Sequence, residues 1–224
     1  MKYTLSLLFF LLLTIGAYSQ TEDFTKPDYQ LIEKNINDKK SPYHLAKLSE
    51  RYNRGDNTLT LEEKRHLYYG LSFQKNYSPY DRVYKTEAVK QLLDTPSYDK
   101  KVLENFLKVS TKALKEYPFN LSLKEYRIFV FKQLGMQKEA RIEDFQKSII
   151  IDAIISTGDG ITKENAFYVI DINNQYDVMD ALGFRFGGEQ ELIGIQYNYL
   201  SLAENSYNVK GLYFEVSRLF GREE

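Results

Sequence analysis

The hydrophobic period of this chain changes once, and that change constrains the fold more than any single motif. From about residue 29 to residue 156, apolar side chains recur every three or four positions, the spacing of helices that bury one face. From about residue 166 to residue 216 they alternate with polar side chains, which is the period of half-buried strands. Helices followed by strands predict an α+β fold, in which helical hairpins precede a small antiparallel β-sheet.

Capping and terminating residues indicate where the helices begin and end. Thr60 and Glu63 have the spacing of a capping box, and Ser41–Pro42 is typical of a helix start. Gly135 is predicted to end a helix in the left-handed conformation. Helices are therefore predicted, in chain order, at residues 29–37, 42–54, 61–73, 86–93, 102–117, 121–134 and 137–156.

Turn residues divide the alternating part into short strands. In one of them Tyr197, Tyr199 and Ser201 face one way, while Asn198, Leu200 and Leu202 face the other. Strands are predicted at residues 166–172, 183–188, 192–202 and 212–216, with one or two helical turns at 176–182.

The longest helical hairpin has the spacing of a known repeat. Ala113, Pro118, Gly135 and Ala140 match positions that the tetratricopeptide repeat uses for close helix packing and for turns. Phe145 stands one residue later than the aromatic position of that repeat, and no proline closes the third helix. We therefore predict that residues 97–155 form a tetratricopeptide-like region.

The first nineteen residues have the pattern of an export signal. Met1 and Lys2 form a positive start, Leu5–Ile15 is an apolar run, and Ala17 and Ser19 are small residues at the positions that signal peptidase reads. The apolar run is shorter than the roughly 20 residues needed to span a bilayer. We predict a signal peptide at 1–19 cleaved after Ser19, a helical region at 20–157, and a β region at 158–224 packed on the helices.

Composition narrows the compartment and the chemistry. The chain has no cysteine, which argues against thiol catalysis, thiolate metal sites and a lipid anchor, and favours a Gram-negative periplasmic or secreted protein. Residues 20–151 carry 24 basic and 19 acidic side chains, whereas residues 152–224 carry 5 basic and 12 acidic ones. The two parts are expected either to attract each other or to present surfaces of opposite sign to a partner, although compositional drift also explains the difference. Nucleic acid is an unfavourable partner because the positive charge is mild and interleaved.

Five short motifs spread over the chain resemble a family of secreted proteins of unknown function found mainly in Bacteroides and their relatives. The motifs are Leu67-Tyr68-Tyr69-Gly70, Tyr77-Ser78-Pro79-Tyr80, Gly158-Asp159-Gly160, Phe167-Tyr168-Val169-Ile170 with Asp177, and Leu212-Tyr213-Phe214-Glu215-Val216. The resemblance implies a signal peptide, a Gram-negative envelope and a helical part joined to a sheet. It implies no activity, substrate or catalytic residue.

A tyrosine-rich loop is the first candidate for a binding surface, since loops between rigid helices often carry binding residues. Its aromatic residues are Tyr68, Tyr69, Phe73, Tyr77, Tyr80 and Tyr84. The exposed face of the 121–134 helix, with Tyr126 and Lys132, is expected to extend this surface. The alternative is that the rings simply cover the helical core with their hydroxyls in water.

Catalytic and metal-binding patterns are weak in this sequence. The oxygens of Asp159, and of Asp171, Asn173, Asn174, Asp177 and Asp180, do not match an EF-hand loop, and turn formation explains Asp159. Only His44 and His66 are present, so neither a zinc triad nor a histidine relay is expected. Paired carboxylates remain open, because any two of the 31 acidic residues could meet in the fold.

These observations predict an exported, non-enzymatic protein-interaction or scaffold module of the bacterial envelope. We expect a protein or peptide partner, no cofactor, no metal and no membrane span after signal cleavage. Two alternatives stay open: a glycan or small-ligand binding protein that uses its tyrosines as stacking platforms, and a hydrolase with a dispersed carboxylate site.

Overall fold

The computed structural model describes residues 24–79, 89–90, 92 and 99–221. Its α-helices are α1 (Tyr29–Asn37), α2 (Leu45–Asn53), α3 (Leu61–Gly70), α4 (Lys100–Glu116), α5 (Leu121–Gln133), α6 (Gln137–Ile155) and α7 (Asn174–Ala181). Its strands are β1 (Phe167–Tyr168), β2 (Phe186–Ile193), β3 (Tyr197–Leu202) and β4 (Gly211–Glu215). The predicted α+β class, with the helices first and the sheet at the C-terminal side, is confirmed.

Local capping sets the helix boundaries. The capping box at α3 is confirmed: Thr60 Oγ1 accepts from the Glu63 amide, and Glu63 Oε2 accepts from the Thr60 amide. Gly135 follows α5 with φ of +74°, as predicted for a left-handed terminator. Helix α2 begins at Leu45, three residues after the predicted start, because Ser41 Oγ accepts from the Tyr43 amide and forms a turn instead of a helix cap. The predicted helix at 86–93 falls mostly outside the described residues.

The sheet is mixed rather than purely antiparallel. Its strand order is β1–β4–β3–β2; the β2–β3 and β3–β4 pairs are antiparallel, and β1 pairs with β4 in parallel. Parallel pairing needs a long connection, and here α7 and the β2–β3 hairpin lie between the two strands. The predicted strand boundaries shift because the hairpin turn lies at Gly194, which has φ of +63°, and not at Gly187–Gly188.

Helices and sheet share one hydrophobic core. Buried side chains of α1, α2, α3 and α6 form a single cluster with those of the sheet, including Leu48, Ile150, Leu200, Leu212 and Phe214. A second cluster lies between α4 and α5, around Phe106 and Val130. Among the described residues, no helix combines the length and the hydrophobicity that a membrane crossing requires.

Tyrosine hydroxyls fasten the short strand β1 to the helical layer. Tyr69 Oη donates to the Tyr168 carbonyl at 3.0 Å, and Tyr77 Oη donates to the Ile170 carbonyl. Tyr68 Oη accepts from the Ile170 amide at 3.1 Å and donates to Asn174 Oδ1 at 2.8 Å. Because β1 forms only two residue pairs with β4, these bonds supply much of what holds it in place.

We expect Tyr68→Phe to lower the free energy of unfolding by about 1–3 kcal/mol, since it removes the hydrogen-bond partner of the Ile170 amide and the donor to Asn174 Oδ1. Urea unfolding measures the change. The control is Tyr126→Phe, in which the same atom is removed from a ring that is 38% exposed, and a change below about 0.5 kcal/mol is expected. Equal stabilities of the two variants would contradict the anchoring role of the Tyr68 hydroxyl.

Candidate functional site

The structure places the predicted tyrosine-rich surface largely inside the protein. Tyr68 and Tyr69 are fully buried, so they are core residues and are not available to a partner. Phe73 and Tyr77 are half-buried and pack against the same core. Tyr80 and Tyr84 lie outside the described residues.

The two residues predicted on the 121–134 helix are exposed, as expected, but they do not lie in the same site. Tyr126 borders a cleft between α5, α6 and α7, together with Lys147, Asp177 and Asp180. Lys132 lies in the last turn of α5 and does not line this cleft.

A different tyrosine-rich surface lies on the outward side of the sheet. In β3, Asn198, Leu200 and Leu202 face the helices and are buried, whereas Tyr197 and Tyr199 face outward and are half-buried. The Asn198 side chain marks the inner side, because its Nδ2 donates to Gln175 Oε1 on α7. The other side of the sheet therefore faces away from the helices.

Strand register arranges the outward side chains in two rows. In the first, Glu191 of β2 lies opposite Tyr199, which lies opposite Tyr213 of β4. The second row runs across all four strands as Ile193, Tyr197, Glu215 and Tyr168. Side chains opposite each other on one side of a sheet are in contact range, so the four tyrosines form a continuous patch.

Close packing fixes the centre of this patch. A Cβ atom at Gly211 would lie 2.2 Å from Cζ of Tyr199, so the end of the tyrosine ring rests directly over the glycine. The rings of Tyr199 and Tyr213 have centroids 4.9 Å apart and an interplanar angle of 49°. Tyr199 is thus held against the sheet with its neighbour tilted beside it.

Glutamates set the electrostatics of the patch. Burial raises the pKa of Tyr168 to about 12, and Glu215 adds to the effect. Burial also raises the pKa values of Tyr197 and Tyr199; Glu215 and Glu164 contribute at Tyr197, and Tyr213, Glu189 and Glu191 at Tyr199. Tyr168, Tyr197 and Tyr199 therefore stay neutral at physiological pH, and carboxylates are among the groups that raise their pKa values. We name the surface formed by Tyr168, Tyr197, Tyr199, Tyr213, Glu164, Glu189 and Glu191 the tyrosine–glutamate face; Glu215 lies in its second row but is buried.

Sequence reasoning placed none of these residues in a predicted binding site. The alternation around Tyr197 and Tyr199 was visible, and it predicted that they share a side. Which residues of β2, β4 and β1 lie beside them depends on register, for which the sequence carries no direct signal. The outward-facing neighbours Glu191, Tyr213 and Tyr168 were therefore not predicted as site residues.

The cleft beside Tyr126 contains an acid, Asp177, whose pKa is raised by burial. This cleft has a volume of about 300 Å³. Asp177 accepts hydrogen bonds from Asn174 Nδ2 at 2.9 Å and from Ser122 Oγ at 3.2 Å, yet burial raises its pKa to about 6. Burial also lowers the pKa of Lys147 against the opposing effect of Asp177. Asp177 can therefore exchange a proton near pH 6, but the cleft brings only Asp180 and Glu125 to it as further acids.

The groove between the helical hairpins is lined by side chains that form ion pairs with one another. It has a volume of about 410 Å³, and Lys124 and Arg127 line it. Lys124 Nζ lies 3.0 Å and Arg127 Nε 2.7 Å from the carboxylate oxygens of Glu143. Gln146 accepts from Lys124 and donates to the Tyr52 carbonyl. The ion pairs connect α5 to α6, and Gln146 connects them to α2. Lys124 and Arg127 therefore already have partners within the protein.

The two histidines and Asp159 have structural partners. His66 is buried, stacks on Tyr43 with centroids 4.1 Å apart, and contacts Asn35 Nδ2 at 3.0 Å. His44 is half-buried at the start of α2, and its Nδ1 contacts the Ile36 carbonyl. Asp159 Oδ1 accepts from the Ile161 amide, which is the turn role expected of it. Across the described ranges, no group of three or more histidine or acidic side chains is placed to hold a metal ion.

Comparison with known proteins identifies a family and no close relative. A family model described as Domain of unknown function (DUF4919) matches residues 30–224. Neither a curated protein nor a solved structure matches the chain. The predicted membership of a family of unknown function is confirmed, whereas the bacterial source and the tetratricopeptide-like assignment stay predictions.

We expect Asp177→Asn to remove part of the pH dependence of stability. In the unfolded chain the pKa of an aspartate is about 3.9, and in the folded protein that of Asp177 is about 6. Because its pKa is raised in the folded protein, Asp177 contributes to the free energy of unfolding. This contribution is fully present below about pH 4 and is lost as the pH rises through about 6. The free energy of unfolding of the wild type should therefore fall over this window by on the order of 3 kcal/mol because of this residue.

Urea unfolding at intervals between pH 4 and pH 7.5 tests this expectation. The control is Asp180→Asn, on the same helix with an exposed side chain, which should keep most of the decline. If Asp177→Asn follows the wild-type curve throughout, the carboxyl does not titrate as the structure indicates.

Proposed function

We propose that this chain, which belongs to the family described as Domain of unknown function (DUF4919), is an exported binding protein whose tyrosine–glutamate face binds a cationic segment of a protein partner. The observation that carries the proposal is the cross-strand arrangement of four tyrosines among glutamates on the uncovered side of the sheet. In this proposal the face acts by binding, without a catalytic step.

The chemistry of the face suits an ammonium or guanidinium group. A cation over an aromatic ring gains about 0.5–2 kcal/mol, and a nearby carboxylate adds an ion pair. The charged side chains that raise the tyrosine pKa values are all glutamates. A cationic side chain bound there would therefore lie near carboxylates as well as aromatic rings.

A sugar is the alternative ligand for such a face, because tyrosine rings also stack on sugar rings. The nearby carboxylates decide between the two, since a neutral sugar gains nothing from their charge while a lysine or arginine side chain does. A sheet face of half-buried rings is also rigid, so little conformational entropy is lost on binding.

The helical layer supports this binding role by holding the sheet. Tyr68, Tyr69 and Tyr77 bind the backbone of residues 168–170 and so place the Tyr168 ring at the end of the second row. The helices are thus the scaffold, and the sheet is the recognition surface.

Export to the periplasm or beyond is the second part of the proposal, and the pattern of residues 1–19 supports it. We expect the mature protein, recovered from a Gram-negative host, to begin at Gln20. Intact-mass spectrometry of the periplasmic fraction measures the cleavage. Replacing Ala17 and Ser19 with bulky residues should block processing; a full-length mass for the unaltered chain would contradict the proposed signal.

Binding of an acetylated, amidated octalysine peptide tests the recognition surface. We expect Tyr199→Ala to weaken binding about tenfold, equivalent to about 1.4 kcal/mol. Glu191→Gln should weaken it a few-fold and reduce its salt dependence, because one ion pair is lost. Isothermal titration calorimetry at low and at physiological ionic strength measures both effects.

Matched controls separate the face from the general surface. Tyr207→Ala removes a tyrosine that is 76% exposed outside the face, and Glu204→Gln neutralises an exposed acid outside it. Both should leave binding unchanged, and melting temperatures confirm that each variant is folded. Absence of peptide binding, or equal losses in the controls, would refute the proposal; binding of neutral oligosaccharides instead would establish the sugar alternative.

A further inference from the structure

Strand β2 forms an open edge of the sheet beside the tyrosine–glutamate face. It is the last strand in the order β1–β4–β3–β2, and all its residues except Ile193 are exposed. Across the ranges that the structure covers, its backbone hydrogen bonds run only to β3. The amides and carbonyls on the other side of β2 are therefore open to another strand.

The regular part of this edge is short. The register between β2 and β3 shifts between Phe186 and Gln190, and Gly188 has φ of +99° within that irregular segment. From Gln190 to Ile193 the pairing is continuous. An added strand would thus find about four to six residues of straight edge, enough for a short peptide segment and not for a long interface.

The two sides of β2 have different chemistry. Glu191 and Ile193 lie on the tyrosine–glutamate face, whereas Gln190 and Leu192 lie on the opposite side with Phe186. On that opposite side Leu192 is 50% exposed, and the Phe186 ring packs edge-on against Tyr176 of α7 with centroids 5.6 Å apart. Along the straight segment a neighbouring strand would lie beside Glu191 and Ile193 on one side and beside Gln190 and Leu192 on the other. The tyrosines lie one to three strands farther into the sheet.

Charge argues against a second copy of this chain as the added strand. Two β2 strands paired antiparallel would bring Glu189 and Glu191 of one copy close to the same residues of the other. Like charges opposite each other destabilise a strand pair. A foreign strand with basic residues at alternate positions meets no such repulsion.

We infer that the partner segment binds by adding a strand to the free edge of β2, with basic residues beside Glu191 on the tyrosine–glutamate face and apolar residues beside Leu192 on the opposite side. This inference rests on the proposed function and adds the geometry and the sequence pattern of the partner. Backbone hydrogen bonds give the added strand its affinity, and the alternating side chains give it specificity.

Two peptides of equal composition test the pattern: acetylated, amidated Lys-Val-Lys-Val-Lys-Val and its block version Lys-Lys-Lys-Val-Val-Val. Both peptides can place lysines beside Glu191. Only the alternating peptide can pair as a strand and place its valines beside Leu192 at the same time. We expect the alternating peptide to bind at least tenfold more tightly. Amide hydrogen exchange should slow in β2 when it binds and should not when the block peptide binds.

Changes to the peptide backbone and to the edge complete the test without affecting the protein core. N-methylation of one alternate set of amides should abolish the advantage of the alternating peptide, and methylation of the other set should not, because only one set faces β2. Leu192→Lys should remove the advantage as well, while the control Leu182→Lys, at another exposed leucine, should preserve it.

The outcomes separate this inference from the proposed function. Equal binding of the two peptides, unaffected by N-methylation but lost in Tyr199→Ala, would overturn strand addition and leave the cationic binding face intact. Failure of every cationic peptide to bind would overturn the binding face itself, and strand addition with it.

Discussion

Three tyrosine hydroxyls that bind the backbone of residues 168–170 are the constraint on which the rest of this structure depends. A two-residue strand gains little from pairing alone, and its polar backbone would be costly to bury without partners. Tyr68, Tyr69 and Tyr77 supply those partners from the helical layer. They thereby join the two parts of the chain and place the last ring of the tyrosine–glutamate face.

The same tyrosines show what sequence reasoning could not reach. Tyr68 and Tyr69 were predicted to belong to a binding surface, with covering of the helical core as the alternative. In the structure residues 65–70 are all buried, because α1, α2, α6 and the sheet surround this helix. Tyrosine is apolar in its body and polar at its tip, so its sequence context fits an exposed ring as well as a buried one with a bonded hydroxyl. Only the tertiary partners decide between these cases.

Local signals, in contrast, predicted the fold class and several element boundaries well. Helix α1 occupies the predicted residues, and the Thr60 capping box and the Gly135 terminator depend on neighbours within a few positions. The parallel β1–β4 pair and the position of the hairpin turn depend on contacts distant in sequence. The acidic character of residues 152–224 was apparent from composition, but the collection of glutamates on one side of a sheet follows from strand register.

The shared core has a consequence for the order in which the chain acquires its shape. Leu48 and Ile150 belong to the same cluster as Leu212 and Phe214, which lie about 60 to 170 positions farther along the polypeptide. Contacts of such long range cannot form until the final segment has been synthesised, so the leading helices keep uncovered apolar sides until then. In the export that we propose, this delay would keep the polypeptide unfolded enough for translocation.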